Sequence, residues 1–199
     1  MKNRSAPLVV KLGGSLHDRV REIVPVLCRS ERPLLVVPGG GSFADNVRQV
    51  RVDEGAAHWM AIAAMDQYGW FIASHGMRTT DLLSVPEKTV MFLPYTSMRK
   101  YDPLPHSWDI TSDTISAWIA AQLGLELLLL KSVDGITRDG KHQEQVTTPL
   151  QSDVIDPFFI PFVLKNKIQT TIINGKSGDL VEKFLNGDPV AGTRIGTTF

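Results

Sequence analysis

Short apolar runs alternate along this chain with glycine turns and with longer stretches in which apolar residues recur every three or four positions. Leu8-Val9-Val10, closing at Lys11-Leu12, is apolar without alternation, the pattern of a strand buried on both faces. Gly13-Gly14-Ser15 breaks it. Residues 16–28 then set Leu16, Val20, Ile23, Val24 and Leu27 on one face of an expected helix, with Pro25 weakening its later half. Pro33 precedes a second apolar run, Leu34-Leu35-Val36-Val37, which Pro38-Gly39-Gly40-Gly41-Ser42 ends, and a helix is expected from near Phe43. A strand, a glycine loop and a helix thus follow one another twice before residue 51.

Residues 56–75 read as a helix that is apolar on most sides: Ala57, Ala61, Ala64 and Tyr68 share one face, and Trp59, Ile62 and Met65 lie elsewhere. Such a helix belongs in an interior or at a subunit contact. Residues 79–108 carry Pro86, Pro94, Pro103 and Pro105, and the expectation there is one strand at 88–93 followed by irregular chain. Ile110-Thr111-Ser112-Asp113 looks like a helix start with Thr111 or Ser112 as N-cap. Ile115, Trp118, Ile119 and Leu123 form the buried stripe of that helix, and Gly124 ends it. Leu127–Leu130 is a third buried strand, closing at Lys131. A glycine-containing turn region at 134–141, helices at 156–166 and 177–186, and strands at 169–173 and 192–197 complete the reading. The alternation predicts an α/β protein with a mainly parallel central sheet covered by helices on both faces, an α/β/α sandwich in one domain, 1–199.

Composition narrows the classes. The 199 residues are 43% hydrophobic and 21% charged, which fits a globular domain and excludes a disordered or collagen-like chain. Lys plus Arg and Asp plus Glu both number 21, so there is no basic excess of the kind a general nucleic-acid or anionic-membrane binder shows. The one cysteine, Cys28, cannot form an internal disulfide; a core position and a reducing cytoplasm are expected. No apolar run is long enough to span a bilayer, and the opening Met-Lys-Asn-Arg-Ser leads straight into a strand, so no signal peptide is expected. The apolar helix at 56–75 suggests a homo-oligomer.

The two glycine loops carry the chemistry. A glycine turn at the end of a buried strand lets backbone N–H groups approach an anion with no Cβ in the way, and the following helix adds the positive end of its dipole. Two such loops at one sheet edge suit two phosphates, or one phosphate and its acceptor. Lys11, just before the first turn, can set an ammonium between two negative groups. Neither loop has the Gly-x-x-x-x-Gly-Lys-Ser/Thr or Gly-x-Gly-x-x-Gly spacing, so a P-loop and a dinucleotide fingerprint are both absent.

Val10-Lys11-Leu12-Gly13-Gly14-Ser15, Val37-Pro38-Gly39-Gly40-Gly41-Ser42, Asp109-Ile110-Thr111-Ser112-Asp113, Lys131-Ser132-Val133-Asp134-Gly135-Ile136 and Gly192-Thr193-Arg194-Ile195 resemble the amino acid kinase family in order and spacing, over about residues 7–196. His58-Trp59-Met60-Ala61-Ile62, with Met65 and Gln67-Tyr68-Gly69, and His106–Asp113 are similar to the family's aminomethylfuran phosphate kinase branch. The resemblance implies phosphoryl transfer from ATP, with Mg²⁺, to a phosphate monoester, giving a diphosphate on the route to methanofuran-type cofactors. Other acceptors within the family stay open: an amino acid carboxylate, a nucleoside monophosphate or an isoprenoid phosphate. So does a nucleotide-binding protein without turnover. It further implies an acceptor-binding half at about 1–110 and a nucleotide-binding half at about 111–199.

The resemblance also implies roles for residues. Lys11 would touch the transferring phosphoryl group, and Asp113 would orient the catalytic lysines. Gly13, Gly14 and Ser15 would meet the ATP phosphates, with Lys131, Asp134, Gly135 and Lys176 beside the nucleotide. Gly39, Gly40 and Gly41 would face the acceptor, together with Asp109. Relatives carry a second catalytic lysine on the helix after the nucleotide loop; Lys165, Lys167 and Lys176 are the candidates, with Lys165 and Lys176 favoured. Isopentenyl phosphate kinases continue their glycine loop as Gly-Gly-Gly-Ser-Phe-Gly-His, whereas this chain has Ser42-Phe43-Ala44-Asp45. Asp45 argues against an isoprenoid phosphate. Asp45 and Asp66 are candidates to meet a cationic aminomethyl group, or are respectively a first-turn helix aspartate and an ordinary ion-pairing aspartate. Arg99 and Lys100 could meet the acceptor phosphate, Trp108 could gate the site, and the histidines show no metal-ligand spacing.

Overall fold

The computed structural model describes residues 6–196; the opening Met-Lys-Asn-Arg-Ser and the far end of the last expected strand lie outside them. Strands β1 (Leu8–Leu12), β2 (Leu34–Pro38), β3 (Thr79–Thr80), β4 (Val90–Phe92), β5 (Glu126–Lys131), β8 (Gln145–Val146), β9 (Thr170–Asn174) and β10 (Thr193–Ile195) form one sheet in the order β3-β4-β2-β1-β5-β9-β10-β8. All pairings are parallel except that of β10 with β9. Two short strands, β6 (Thr137–Arg138) and β7 (Lys141–His142), make a separate exposed hairpin where the glycine-containing turn was expected. Among the described residues, no helix is long and apolar enough to cross a membrane.

Alternation along the central strands sends their side chains into two cores. Val9, Val37, Leu127 and Leu129 enter one, packed against helices α5 (Ser112–Leu123) and α6 (Phe159–Lys165). Leu8, Val10, Leu12, Val36, Leu128 and Leu130 enter the other, against α1 (Val20–Cys28) and α7 (Gly178–Leu185). The expected helix from residue 16 starts instead as a 3-10 turn over Gly14–Arg19 and becomes α-helical at Val20. Pro25 lies inside α1, on its exposed face, and does not end the helix. Cys28 is exposed at the end of α1 rather than in the core, because Ile23, Val24 and Leu27 already fill that helix's buried face.

Helix α2 (Gly41–Gln49) follows the second glycine loop, and α3 (Glu54–Ala73) follows it, with Asp53 accepting from the Ala56 N–H at 2.9 Å as N-cap. The apolar character of α3 on several sides has a reason in the fold: Ile62 and Met65 enter one core, and Tyr68 and Ile72 the other. Trp70 stays 58% exposed.

The irregular stretch at 79–108 holds a further helix, α4 (Tyr95–Tyr101). Asp66 of α3 explains its start. The Asp66 carboxylate accepts a hydrogen bond from the Tyr95 backbone N–H at 3.1 Å, so it satisfies the first turn of α4. The acceptor role considered for Asp66 is therefore corrected: it is half-buried against α4 and does not line the cavity described below. Burial lifts its pKa to about 6; the Tyr95 N–H works against the shift and Asp81 adds to it. A carboxyl whose folded pKa is raised stabilises the fold most at low pH and loses that contribution as pH rises through about 6. Asp66→Asn keeps an acceptor for Tyr95 and removes the titration. Thermal unfolding should therefore show the variant gaining on the wild type as pH rises from 4 to 7; a stability difference independent of pH would contradict this role.

Candidate active site

Parity along two adjacent strands builds the centre of the site. Lys11 lies on the same face of β1 as Val9, and Lys131 on the same face of β5 as Leu127 and Leu129, so both ammonium groups emerge at one sheet edge on one side. Between them stands Asp113, from the first turn of α5. Lys131 Nζ donates to Asp113 Oδ2 at 2.6 Å. Lys11 Nζ lies 2.8 Å from Oδ1, close enough for full charge attraction though not aligned as a hydrogen bond. Lys11 and Asp113 are buried, at 4% and 3% exposure. Burial opposes the Asp113 carboxylate, but Lys11 and Lys131 outweigh it and hold its pKa below the ordinary carboxylate value. The cluster keeps one net positive charge.

Asp113 is aimed by a residue that sequence reasoning missed. Asp156, in the segment before α6, takes four hydrogen bonds on its buried carboxylate. Oδ2 accepts from the Thr111 N–H (3.0 Å), the Thr111 hydroxyl (2.9 Å) and the Thr114 N–H (3.0 Å); Oδ1 accepts from the Thr114 hydroxyl (2.6 Å). It fastens the open N-terminus of α5 from outside the helix, and Thr111, the N-cap, adds only a long 3.5 Å bond to the Asp113 N–H. No local pattern signals such a partner, because 42 residues separate it from Thr114.

The two glycine loops meet beside this cluster. A Cβ on Gly14 would lie 2.5 Å from Gly41 Cα and 2.6 Å from Gly41 N, so the backbones touch with no room for a side chain. Gly41 takes φ +54° at the start of α2, with the Tyr68 ring packed behind it. Gly39 is buried, donates its N–H to the Leu12 carbonyl at 2.8 Å and would strike Gly14 N with a Cβ. Its place is thus the seam between the loops, off the cavity wall, which corrects its assignment to acceptor contact.

A cavity of about 250 Å³ opens over the seam. Of the expected site residues, Lys11, Gly13, Gly14, Ser15, Gly40, Gly41, Asp45, Asp113 and Lys131 line it. Asp109 does not: it is exposed, while its neighbours Trp108 and Ile110 face the cavity. Lys165 is also displaced from the expectation. It is exposed in the last turn of α6, because Phe159, Ile160 and Val163 turn the other side of that short helix into the core. The second lysine on Asp113 is Lys131, and strand parity with Lys11 was the signal that could have found it. Lys167, with φ +54°, is exposed past the end of α6.

Asp134, Gly135 and Lys176 stand outside the cavity, at the ends of β5 and β9. Asn174 Nδ2 donates to Asp134 at 2.8 Å, and the Lys176 N–H donates to Asn174 Oδ1 at 3.0 Å, tying the two loops. Gly135 is structural: a Cβ there would lie 2.5 Å from Thr193 Oγ1, which accepts from the Ile136 N–H. His58, Asp102 and His106, apart in sequence, place three metal-type donor atoms within 4.8 Å of one another. The imidazoles of His58 and His106, however, stack at 4.3 Å and 14°, so their in-plane lone pairs run side by side and do not converge on one ion. Arg99 lies over the Trp59 ring at 4.4 Å and Arg48 over Trp108 at 4.1 Å; of these four, Arg48 and Trp108 line the cavity.

Lys131 gives the cluster a readable titration. Burial and the neighbouring Lys11 lower its pKa to about 8, while Asp113 works the other way. The ammonium therefore discharges as pH rises through about 8. Affinity for inorganic triphosphate, followed by calorimetry against pH, should fall on that alkaline limb, and Lys131→Arg, which stays charged, should abolish the limb below pH 10. A limb unchanged in Lys131→Arg would assign it to another group.

No protein-family model matches the chain. It is 28% identical to the [5-(aminomethyl)furan-3-yl]methyl phosphate kinase of Methanocaldococcus jannaschii, over 94% of this chain and 96% of that protein. It is 24% identical to the uridylate kinase of Thermofilum pendens, over 96% of this chain and 98% of that protein. The crystal structure of uridylate kinase from Archaeoglobus fulgidus superposes with a TM-score of 0.69 at 19% identity, covering 95% of this chain and 99% of that one. Each of these proteins is a kinase matched over nearly its whole length, and the chain shares their fold and is similar to kinases of the amino acid kinase family.

Proposed function

We propose that the protein transfers the γ-phosphoryl group of ATP to the phosphate of [5-(aminomethyl)furan-3-yl]methyl phosphate, forming a diphosphate and ADP. The observation that carries this reading is the placement of Lys11, Asp113 and Lys131 at the seam where the two glycine loops touch. An acceptor phosphate oxygen attacks the γ-phosphorus as the bond from that phosphorus to the β-bridging oxygen breaks. An ionised phosphate needs no strong general base. It does repel ATP, so alignment and fixed positive charge dominate. The Gly13–Ser15 turn and Lys131 serve the ATP phosphates, Lys11 the group in transit, and Gly40 and Gly41 the acceptor phosphate. Asp134 and Lys176 flank the nucleotide beyond the cavity.

Mg²⁺ belongs to this reading as charge neutralisation on the ATP phosphates. Both Asp113 oxygens already face ammonium groups, so Asp113 is not offered as its ligand. The acceptor half of the chain, about 1–110, meets the nucleotide half, about 111–199, where β1 lies beside β5. The diphosphate product suits methanofuran-type cofactor assembly. The setting is the cytoplasm, and a homo-oligomer using the exposed part of α3 around Trp70 completes the proposal.

The test is turnover with Mg-ATP and a panel of acceptors: the aminomethylfuran phosphate, uridine monophosphate and isopentenyl phosphate. ADP release and the phosphorus NMR signal of a diphosphate should appear with the first. Lys11→Ala should keep the fold and lose about 10²–10³-fold in kcat, the usual effect of removing one preorganised charge. Preferential turnover of uridine monophosphate, or a folded Lys11→Ala with near-normal turnover, would overturn the reading.

A further inference from the structure

The lysines and arginines that line the cavity are Lys11, Lys131 and Arg48, and the first two are already paired. Both lysines face Asp113. Arg48, near the end of α2, has no ion-pair partner among the described residues. Its charge also decides the balance of the lining. Without it, Lys11 and Lys131 stand against Asp45, Glu54 and Asp113, an excess of negative charge that repels a phosphate.

Arg48 shares a helix face with the second glycine loop. Gly41, Ala44, Asp45 and Arg48 all line the cavity, at the spacing of residues on one side of α2. Seven residues along a helix span about 10 Å. A long side chain leans back along its helix toward the N-terminus, here the Gly40–Gly41 turn. The arm of Arg48 thus spans much of that interval within the cavity wall.

Trp108 holds the guanidinium. It comes from the turn before α5, lines the cavity itself, and lies under the Arg48 Cζ at 4.1 Å from its ring centre. Stacking occupies the face of a guanidinium and leaves its N–H donors, which lie in the plane, open to an anion. A fork held this way also loses less rotamer freedom on binding than a free arginine does. Arg99 and Lys100, expected to meet the acceptor phosphate, stand outside the cavity: Arg99 over Trp59, and Lys100 over Tyr101 at 5.1 Å.

We infer that Arg48, held by Trp108, is the side-chain ligand of the acceptor's phosphate. Its in-plane donors meet oxygens of a phosphate monoester that do not attack, while the Gly40–Gly41 backbone meets the same group from the other end of α2. This rests on the reading of the cavity as the acceptor site. Arg48 binds and moves no proton; Trp108 is a positioning residue.

The test is steady-state kinetics with Mg-ATP and each phosphate monoester the wild type turns over. Arg48→Gln should raise the acceptor KM by about 10–10²-fold, with kcat and the KM for ATP little changed. Arg48→Lys, charged but without the planar fork, should fall between. Trp108→Leu should raise the same KM by about 3–10-fold, and Trp108→Phe, which restores an aromatic face, should recover most of it. Circular dichroism checks that the variants remain folded. An acceptor KM unaltered in folded Arg48→Gln, or one that rises together with the KM for ATP, overturns the assignment and leaves the substrate reading standing. Turnover of uridine monophosphate alone overturns the furan substrate, and Arg48 is then judged on the KM for that nucleotide. Turnover of no phosphate monoester overturns both.

Discussion

A carboxylate between two ammonium groups, all nearly out of water, is the interaction to which the rest of the structure answers. Burying Asp113 alone would be costly, and so would burying Lys11 or Lys131; together they leave a single positive charge fixed at one sheet edge. That arrangement needs β1 beside β5 in parallel register, so that the two lysines share a side. It also needs the N-terminus of α5 at a set position. Asp156 meets that need by binding Thr111 and Thr114 at once. A fixed charge that does not reorganise is what phosphoryl transfer asks of a protein, since little covalent work is left for it.

The glycine loops obey a second constraint, absence of volume. Gly14 and Gly41 approach so closely that a methyl group on Gly14 would strike Gly41, and Gly39 fills the seam behind, where a methyl group would strike Gly14. Two phosphate-binding backbones can then face one another across a distance a single transfer can cover. Tyr68, wholly buried behind Gly41, makes α3 the support of the second loop as well as the wall of the cavity. One helix thus links the second glycine loop to the apolar face that lines the cavity.

Much of this was legible in the residues. The buried strands, both loops, Lys11 and Asp113 follow from local pattern, because strand ends, glycine turns and helix caps are written over a few adjacent positions. What stayed hidden depends on residues distant in sequence. Lys131 was read as a nucleotide contact, and its pairing with Asp113 appears only when β5 is laid beside β1. Asp156 is a capping partner from another segment. Helix α4 lacks a strong stripe of its own and is started by Asp66, so both were misread together. Lys165 and Asp109 were assigned by position along the chain, and the packing of α6 and the exposed turn before α5 direct them elsewhere.

The account makes Lys11 and Lys131 work as one unit through one shared aspartate. A double-mutant cycle in kcat with Mg-ATP and the preferred acceptor measures that directly, using Lys11→Ala, Lys131→Ala and the double variant. Groups that work as a unit are not additive, so the double variant should lose far less than the product of the two single losses. Losses that simply multiply, in variants that remain folded, would mean that the two lysines act independently and would contradict the account.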